Sequence, residues 1–138
     1  MGNLASTIDY FYNANWQRLE EINTPSGGGA STTTEYVWGV RYIDDLVCRD
    51  IASERLYALQ DRQYKVIALS NTSGNVVERY SYTPYGESTI YDSSFTIRSS
   101  SSYDWVYLYT NRRLDEETGL HYLRNRYYHK GLGRMARK

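Results

Sequence analysis

Apolar and polar positions alternate in short runs along most of this chain, and residues that favour turns break the alternation again and again. Ile8, Tyr10 and Tyr12 alternate with Asp9 and Phe11, Asn13-Ala14-Asn15 offers a turn, and Trp16, Arg18, Glu20 and Ile22 resume on a returning strand. Tyr36, Trp38, Val40 and Tyr42 then line one face of a strand whose other face carries Val37, Gly39, Arg41 and Ile43. Gly39 suggests a bulge or a close backbone contact, and Asp44-Asp45 either bends or turns the chain before Leu46-Val47-Cys48. Residues 55–60 and 64–70 read as strands separated by Asp61-Arg62-Gln63, and Asn71 to Asn75, with Ser73-Gly74, is a turn leading into a partner strand over 76–82. Thr83-Pro84-Tyr85-Gly86 stops that strand.

Near the C-terminus Trp105, Tyr107 and Tyr109 point one way from a predicted strand, and Val106 and Leu108 point the other. After the acidic, Gly-bearing turn Asp115-Glu116-Glu117-Thr118-Gly119, Tyr122, Arg124, Arg126 and Tyr128 share one face and Leu123, Asn125 and Tyr127 the opposite one. No segment keeps an apolar period of 3.6 residues over three turns behind a cap, and Leu46 to Gln60 can be drawn as a helix only by ignoring its β-branched residues. The expectation is an all-β fold of successive antiparallel β-hairpins with little or no helix. It forms a single domain over 1–138, in which the Gly, Ser and Thr-rich stretch 24–34 and the Ser-rich stretch 88–103 are flexible loops.

Composition narrows the partners. Sixteen Lys and Arg balance sixteen Asp and Glu in 138 residues, so the sequence has no basic face of the kind that neutralises a phosphate backbone, and no nucleic acid is expected. No apolar run approaches the ~20 residues that a spanning helix needs. The N-terminus lacks a basic segment followed by an apolar one, so no signal peptide is read, and the compartment stays open. Met1 to Ser6 fits the myristoylation pattern and Asn71-Thr72-Ser73 is a glycosylation sequon, but both have meaning only in a eukaryotic cell. The one cysteine, Cys48, excludes an internal disulfide and a cysteine-rich zinc site, and its apolar setting reads as a buried small hydrophobe.

Candidate chemistry is sparse. Asp44-Asp45 and Asp115 to Glu117 could supply paired carboxylates for a glycosidase, but neighbouring residues on a strand face opposite ways, and at turns such carboxylates are simply solvated. Asp115 to Gly119 lacks the alternating oxygen spacing of a calcium loop, and Gly27-Gly28-Gly29 lacks the lysine of a phosphate loop. No catalytic residue, cofactor or metal is expected. Arg124 and Arg126 beside Tyr122, Tyr127 and Tyr128 suit stacking within the sheet, and exposed tyrosines also suit a carbohydrate.

Two blocks carry a family resemblance. One is the Tyr107/Tyr109 strand followed by the turn with Thr118 and Gly119, the run Tyr122, Arg124, Arg126, Tyr127 and Tyr128, and the closing Gly131-Leu132-Gly133-Arg134. The other runs from Gly74 through Val76-Val77, Tyr80 and Tyr82 to Pro84-Tyr85-Gly86. Together they resemble the RHS repeat-associated core domain of YD-repeat proteins, in that order and spacing; residues 36–50 also look like an element of one branch of the family. Thr72 stands where the family usually has Asp, and Asp61-Arg62-Gln63-Tyr64 replaces a common D-H-L-G-S break.

The resemblance implies a ribbon of hairpins winding into a hollow shell, with tyrosines and arginines stacking between strands. Bacterial members, among them polymorphic toxins, look like shells around a C-terminal toxin or effector, and the teneurins use a similar shell in adhesion. In the toxins an Asp-Pro motif that frees the cargo follows the G-x-G-R; here Met135-Ala136-Arg137-Lys138 follows instead. The chain is therefore expected to be a C-terminal, non-enzymatic shell fragment, with a surface adhesion or carbohydrate-binding module and an inactive remnant of a self-cleaving core as the alternatives. Its implied partners are other shell segments, effector cargo and, through open strand edges, copies of itself.

Overall fold

The computed structural model describes residues 5–136, so the myristoylation pattern, which rests on Gly2, and the terminal Arg137-Lys138 lie outside the described residues. Contacts gather the chain into two compact units that meet in sequence at Tyr57 and Ala58, and the hairpins expected as one domain are taken unit by unit.

In the first unit β1 (Ser6–Tyr12), β2 (Arg18–Pro25), β3 (Thr32–Trp38) and β4 (Leu46–Ile51) follow one another as an antiparallel ladder, and the part of β5 (Glu54–Gln60) up to Tyr57 pairs with β4. The second unit holds the ladder β6 (Val66–Ser70), β7 (Val76–Tyr82), β8 (Ser88–Asp92) and β9 (Ile97–Arg98). It also holds a four-stranded antiparallel sheet of β10 (Arg113–Asp115), β11 (Leu120–Tyr122), β12 (Tyr127–His129) and β13 (Arg134–Met135). The described residues contain no α-helix, only a 3-10 turn at Tyr109–Asn111. Among the described residues no helix is long and apolar enough to cross a membrane. The all-β, hairpin architecture expected from the alternation is the one found.

Several strand limits differ from the sequence reading. β2 starts at Arg18 because Trp16, at φ 59°, belongs to the turn. β2 and β3 together take Thr24, Pro25 and Thr32 to Thr34 out of the expected loop, since threonines alternate well across a ladder. β3 ends at Trp38, short of the expected end at Ile43; Val40 is fully exposed and Gly39–Asp45 folds into a turn. The stretch 88–103, read as loop, contains β8 and β9, because Ile90 and Tyr91 supply a short alternating run among the polar residues.

Asp44 and Asp45 are buried, against the expectation of solvated turn carboxylates. Arg41 forks onto Asp45 through Nε at 2.8 Å and a terminal nitrogen at 2.5 Å, which is what lets a carboxylate leave water. Gly39 is the reason for the tightness: its N–H donates to the Asp45 carbonyl at 2.6 Å, and a Cβ there would lie 2.7 Å from Asp45 Cγ. Close backbone contact at Gly39 was legible in advance.

One turn recurs. At Asn13–Gln17, Asp61–Lys65, Asn71–Asn75, Thr83–Glu87 and Asp92–Thr96 the first residue donates its N–H to the fifth residue's carbonyl, and the fourth donates back to the first. In four of them the first side chain's Oδ1 accepts the N–H groups of the third and fifth residues; Thr83 Oγ1 accepts only the fifth. The fourth residue is left-handed: Trp16, Tyr64, Gly74, Gly86 and Phe95 have φ between 58° and 89°. This is a three-residue hairpin loop closed by a left-handed bulge, and the polar side chain holds it where glycine is absent.

Candidate functional site

Part of the motif, Tyr82, Tyr85, Gly86, Tyr109, Tyr128 and Gly133, converges on one cluster, and alternation along β7 starts it. Glu78 and Tyr80 are buried and Tyr82 half-buried, all on one face. The Glu78 carboxylate accepts from the Tyr80 hydroxyl, from Ser101 Oγ at 2.6 Å and from the Ser102 N–H at 2.8 Å, so a buried charge is fully met by donors. Tyr82 donates its hydroxyl to the Val66 carbonyl at 2.6 Å. Burial foremost pushes the hydroxyls of Tyr80 and Tyr82 far above the ordinary tyrosine range, with Glu78 adding to the effect at Tyr80 and Asp61 at Tyr82, so both stay protonated and able to donate.

At the end of β7 the Thr83–Glu87 turn presents its backbone to the C-terminal sheet. Tyr109 donates to the Pro84 carbonyl at 3.0 Å and Tyr128 donates to the Tyr85 carbonyl at 2.9 Å. The two rings stack, 6.3 Å apart and 14° from parallel, and Tyr109 also meets the rings of Tyr82 at 5.9 Å and His121 at 6.3 Å. Gly86, buried at φ 89°, lies under the Tyr109 ring, whose atoms would come within 2.5 to 2.9 Å of a Cβ. Gly133 stands in the same relation to the ring of Tyr85, at 2.7 Å. Both glycines are needed for space as well as for a positive φ.

The last hairpin differs from its sequence reading. Trp105, Tyr107 and Leu108 are all buried, without alternation, because Tyr107 makes only an isolated bridge to Arg113 before the chain enters the 3-10 turn. Trp105 Nε1 donates to the Tyr107 carbonyl at 2.6 Å. The strand opposite β11 is Arg113–Asp115, not the tyrosine segment. Nor do Tyr122, Arg124, Arg126 and Tyr128 share a face: Leu123 to Arg126 form a tight turn with Arg124 at φ 60°, and Tyr122 sits across from Tyr127 with rings 5.5 Å apart. The Asp115–Gly119 segment is a turn, as expected; Thr118 Oγ1 donates to Asp115 Oδ2 at 2.6 Å and Gly119 has φ 70°. Arg126 and Arg134 are exposed, and Gly131 packs beside His129. Gly74 is exposed in the Asn71–Asn75 turn.

Arginine stacking on tyrosine occurs where the sequence reading did not look for it. In the first unit buried Arg18 lies 4.2 Å from the centre of the Tyr10 ring, 6.0 Å from Tyr12 and 5.8 Å from Tyr36, and pairs with Glu21 at 2.5 Å. Burial foremost raises the Tyr36 hydroxyl to about 12. Alternation of Tyr10 and Tyr12 placed both rings on one face, but nothing in sequence gave the cross-strand register that brings Arg18 against them. Cys48 is buried in β4, and desolvation, then Asp50, raise its thiol, the opposite of what a nucleophile needs.

Successive antiparallel hairpins, pinned to one another's backbone by tyrosine hydroxyls, define an all-β protein whose fold is similar to part of an RHS shell protein. The likeness extends over 97% of this chain and 8% of a chain in the crystal structure of TcdB2-TccC3-TEV, at a TM-score of 0.52 and 15% identity. In TcdB2-TccC3-Cdc42 it covers 93% of this chain and 7% of that one, at 0.50 and 14%. No family model matches. In sequence, 63 residues, or 46% of the chain, are 38% identical to the tRNA3(Ser)-specific nuclease WapA of Bacillus spizizenii. The same length is 38% identical to the tRNA(Glu)-specific nuclease WapA of Bacillus subtilis subsp. natto and 36% identical to the tRNA nuclease WapA of Bacillus subtilis strain 168. The match spans 2% of the length of each of these relatives. Fold and sequence likeness together support a relationship with RHS and YD-shell proteins.

Proposed function

We propose that this chain is a non-enzymatic wall segment of an RHS/YD-repeat shell, from the core region near its C-terminal end, and that the longer protein encloses or presents a toxin or effector. The observation that carries the reading is the use of the motif tyrosines. Tyr82, Tyr109 and Tyr128 each donate the hydroxyl to a backbone carbonyl of their own unit, so their polar ends close a wall rather than await a ligand. In this reading Gly86 and Gly133 are present to let rings lie flat on backbone, and Tyr80 anchors the buried carboxylate that fixes the segment after β9. Other shell segments and the effector are its partners. The nuclease activity in the WapA names would then belong to another part of such a protein.

Two measurements test this. Purified chain incubated with a tRNA pool should leave it intact; cleavage lost on substituting a single residue of the chain would overturn the non-enzymatic reading. A WapA chimera carrying this segment in place of the matched stretch should keep its resistance to added protease, and the same chimera with Tyr109→Ala should lose it. Equal resistance in both would remove the wall role from the clamp. Outer strands such as β1 and β13 lack a neighbour on one side within their own sheets, so the isolated chain should self-associate, and a sharp monomer by light scattering after size exclusion would count against that.

A second reading, carbohydrate binding or adhesion, draws on β1, where Tyr10, Phe11 and Tyr12 are 39 to 49% exposed. Binding on a glycan array that is lost with Tyr12→Ala and kept with Tyr128→Phe would favour it.

A further inference from the structure

We propose that the second unit carries a binding site for an α-amino acid with an aliphatic side chain, in a cavity that the C-terminal sheet shares with β8 and β9. The cavity measures about 280 Å³, and every residue that lines it belongs to this unit. That volume suits one small molecule, since pockets for drug-sized ligands begin at roughly 300 Å³. The tyrosine clamp takes no part in it, so the site stands or falls apart from the wall role.

Sheet topology supplies two opposite charges. In the order β10-β11-β12-β13 the turns after β10 and after β12 leave the same end of the sheet; Glu116 begins the first turn and Lys130 the second. One strand lies between β10 and β12, so these turns start about 10 Å apart. Both side chains line the cavity, yet neither Glu116 nor Lys130 is in an ion pair among the described residues. The other polar groups are less available. Arg98 also lines the cavity, but Asp92 holds it at 2.6 Å, and Ser101 Oγ donates to the buried Glu78 carboxylate.

The floor is apolar. Trp105 and Leu108, each 2% exposed, lie at the cavity with Ile90 and Leu114, and Ile90 faces inward because it stands opposite buried Tyr80 across β7 and β8. The exposed Ser99 and Ser100 add hydroxyls at the rim.

This combination selects a class of ligand. A simple anion meets repulsion from Glu116 and a simple cation meets it from Lys130, whereas a zwitterion satisfies both. In an α-amino acid the ammonium and carboxylate are adjacent, and a charge-assisted hydrogen bond of about 2.8 Å at each end extends the pair to a span of roughly 8 Å. Carboxylate to Lys130 and ammonium to Glu116 leave the side chain over the apolar floor, where burial favours Leu or Ile over Gly.

Saturation-transfer NMR observes the ligand and therefore works on the full chain in any state of association. L-leucine should bind with a Kd on the order of 1 mM, as expected for a molecule of its size. Isocaproate, which lacks the ammonium, isopentylamine, which lacks the carboxylate, and glycine, which lacks the side chain, should each bind about tenfold more weakly. Glu116→Gln should weaken leucine without weakening isocaproate, and Lys130→Gln should weaken leucine without weakening isopentylamine. No leucine signal at about ten times that concentration, analogues as tight as leucine, or variants that bind leucine unchanged would each overturn the proposal. If the variants fail to fold, the analogue series on the unaltered chain decides it.

Discussion

β1 with β2 and β11 with β12 are both antiparallel hairpins, yet different forces hold them. The first pairs seven residues from Ser6 to Tyr12, with most of β1's side chains exposed, and its turn is closed by the Asn13 side chain. The second pairs only His121 with Tyr128 and Tyr122 with Tyr127, and its hold on the fold comes from rings and hydroxyls that reach the Pro84–Gly86 corner. A ladder of backbone hydrogen bonds tolerates substitution of its side chains. A clamp concentrates its stability in a few atoms.

Gly86→Ala should separate the two regions most sharply. It combines a methyl group inside van der Waals contact of Tyr109 with a left-handed φ, at a cost of roughly 3 to 5 kcal/mol, and should expose residues 107–136 to protease while leaving β1–β4 protected. Equal exposure of both regions would mean that they unfold as one.

Acid comes next. Between about pH 6.5 and about pH 4 the buried His121 should remove up to about 3 kcal/mol from the second unit, measured as urea midpoint against pH, with stability rising as pH rises.

Asn71→Ala should cost about 1 kcal/mol by leaving the Ser73 and Asn75 N–H groups to water, whereas Asn71→Asp should be nearly neutral in thermal melts. A large loss on Asn71→Asp would show that charge, not acceptor geometry, governs the turn.

The smallest effect has the opposite sign. Trp16 is 66% exposed at φ 59°, so Trp16→Gly should stabilise the first unit by about 0.5 to 1 kcal/mol, provided that its ring serves no contact in a larger assembly. A lower melting temperature for Trp16→Gly would show that the ring is held by something worth more than the strain.

The sequence by itself determined that this chain is a run of antiparallel hairpins and where most turns fall, because alternation and turn chemistry act over a few neighbouring residues. Asn13, Asp61, Asn71 and Asp92 could also have announced their shared turn, through a short polar side chain five residues before the start of the returning strand; the bulky Trp16, Tyr64 and Phe95 in the left-handed position hid it. Burial of Asp45 was hidden too, since an exposed and a forked carboxylate look alike in sequence. What only the tertiary structure decided was the clamp. Tyr82, Gly86, Tyr109, His121, Tyr128 and Gly133 are spread from residue 82 to residue 133, and whether their rings stack, donate or lie exposed depends on cross-strand register and on the left-handed turns at Thr110, Asn111 and Arg124. Those turns redirect the chain after Leu108 and again after Leu123, converting an expected flat tyrosine face into two short hairpins folded onto the Pro84–Gly86 backbone.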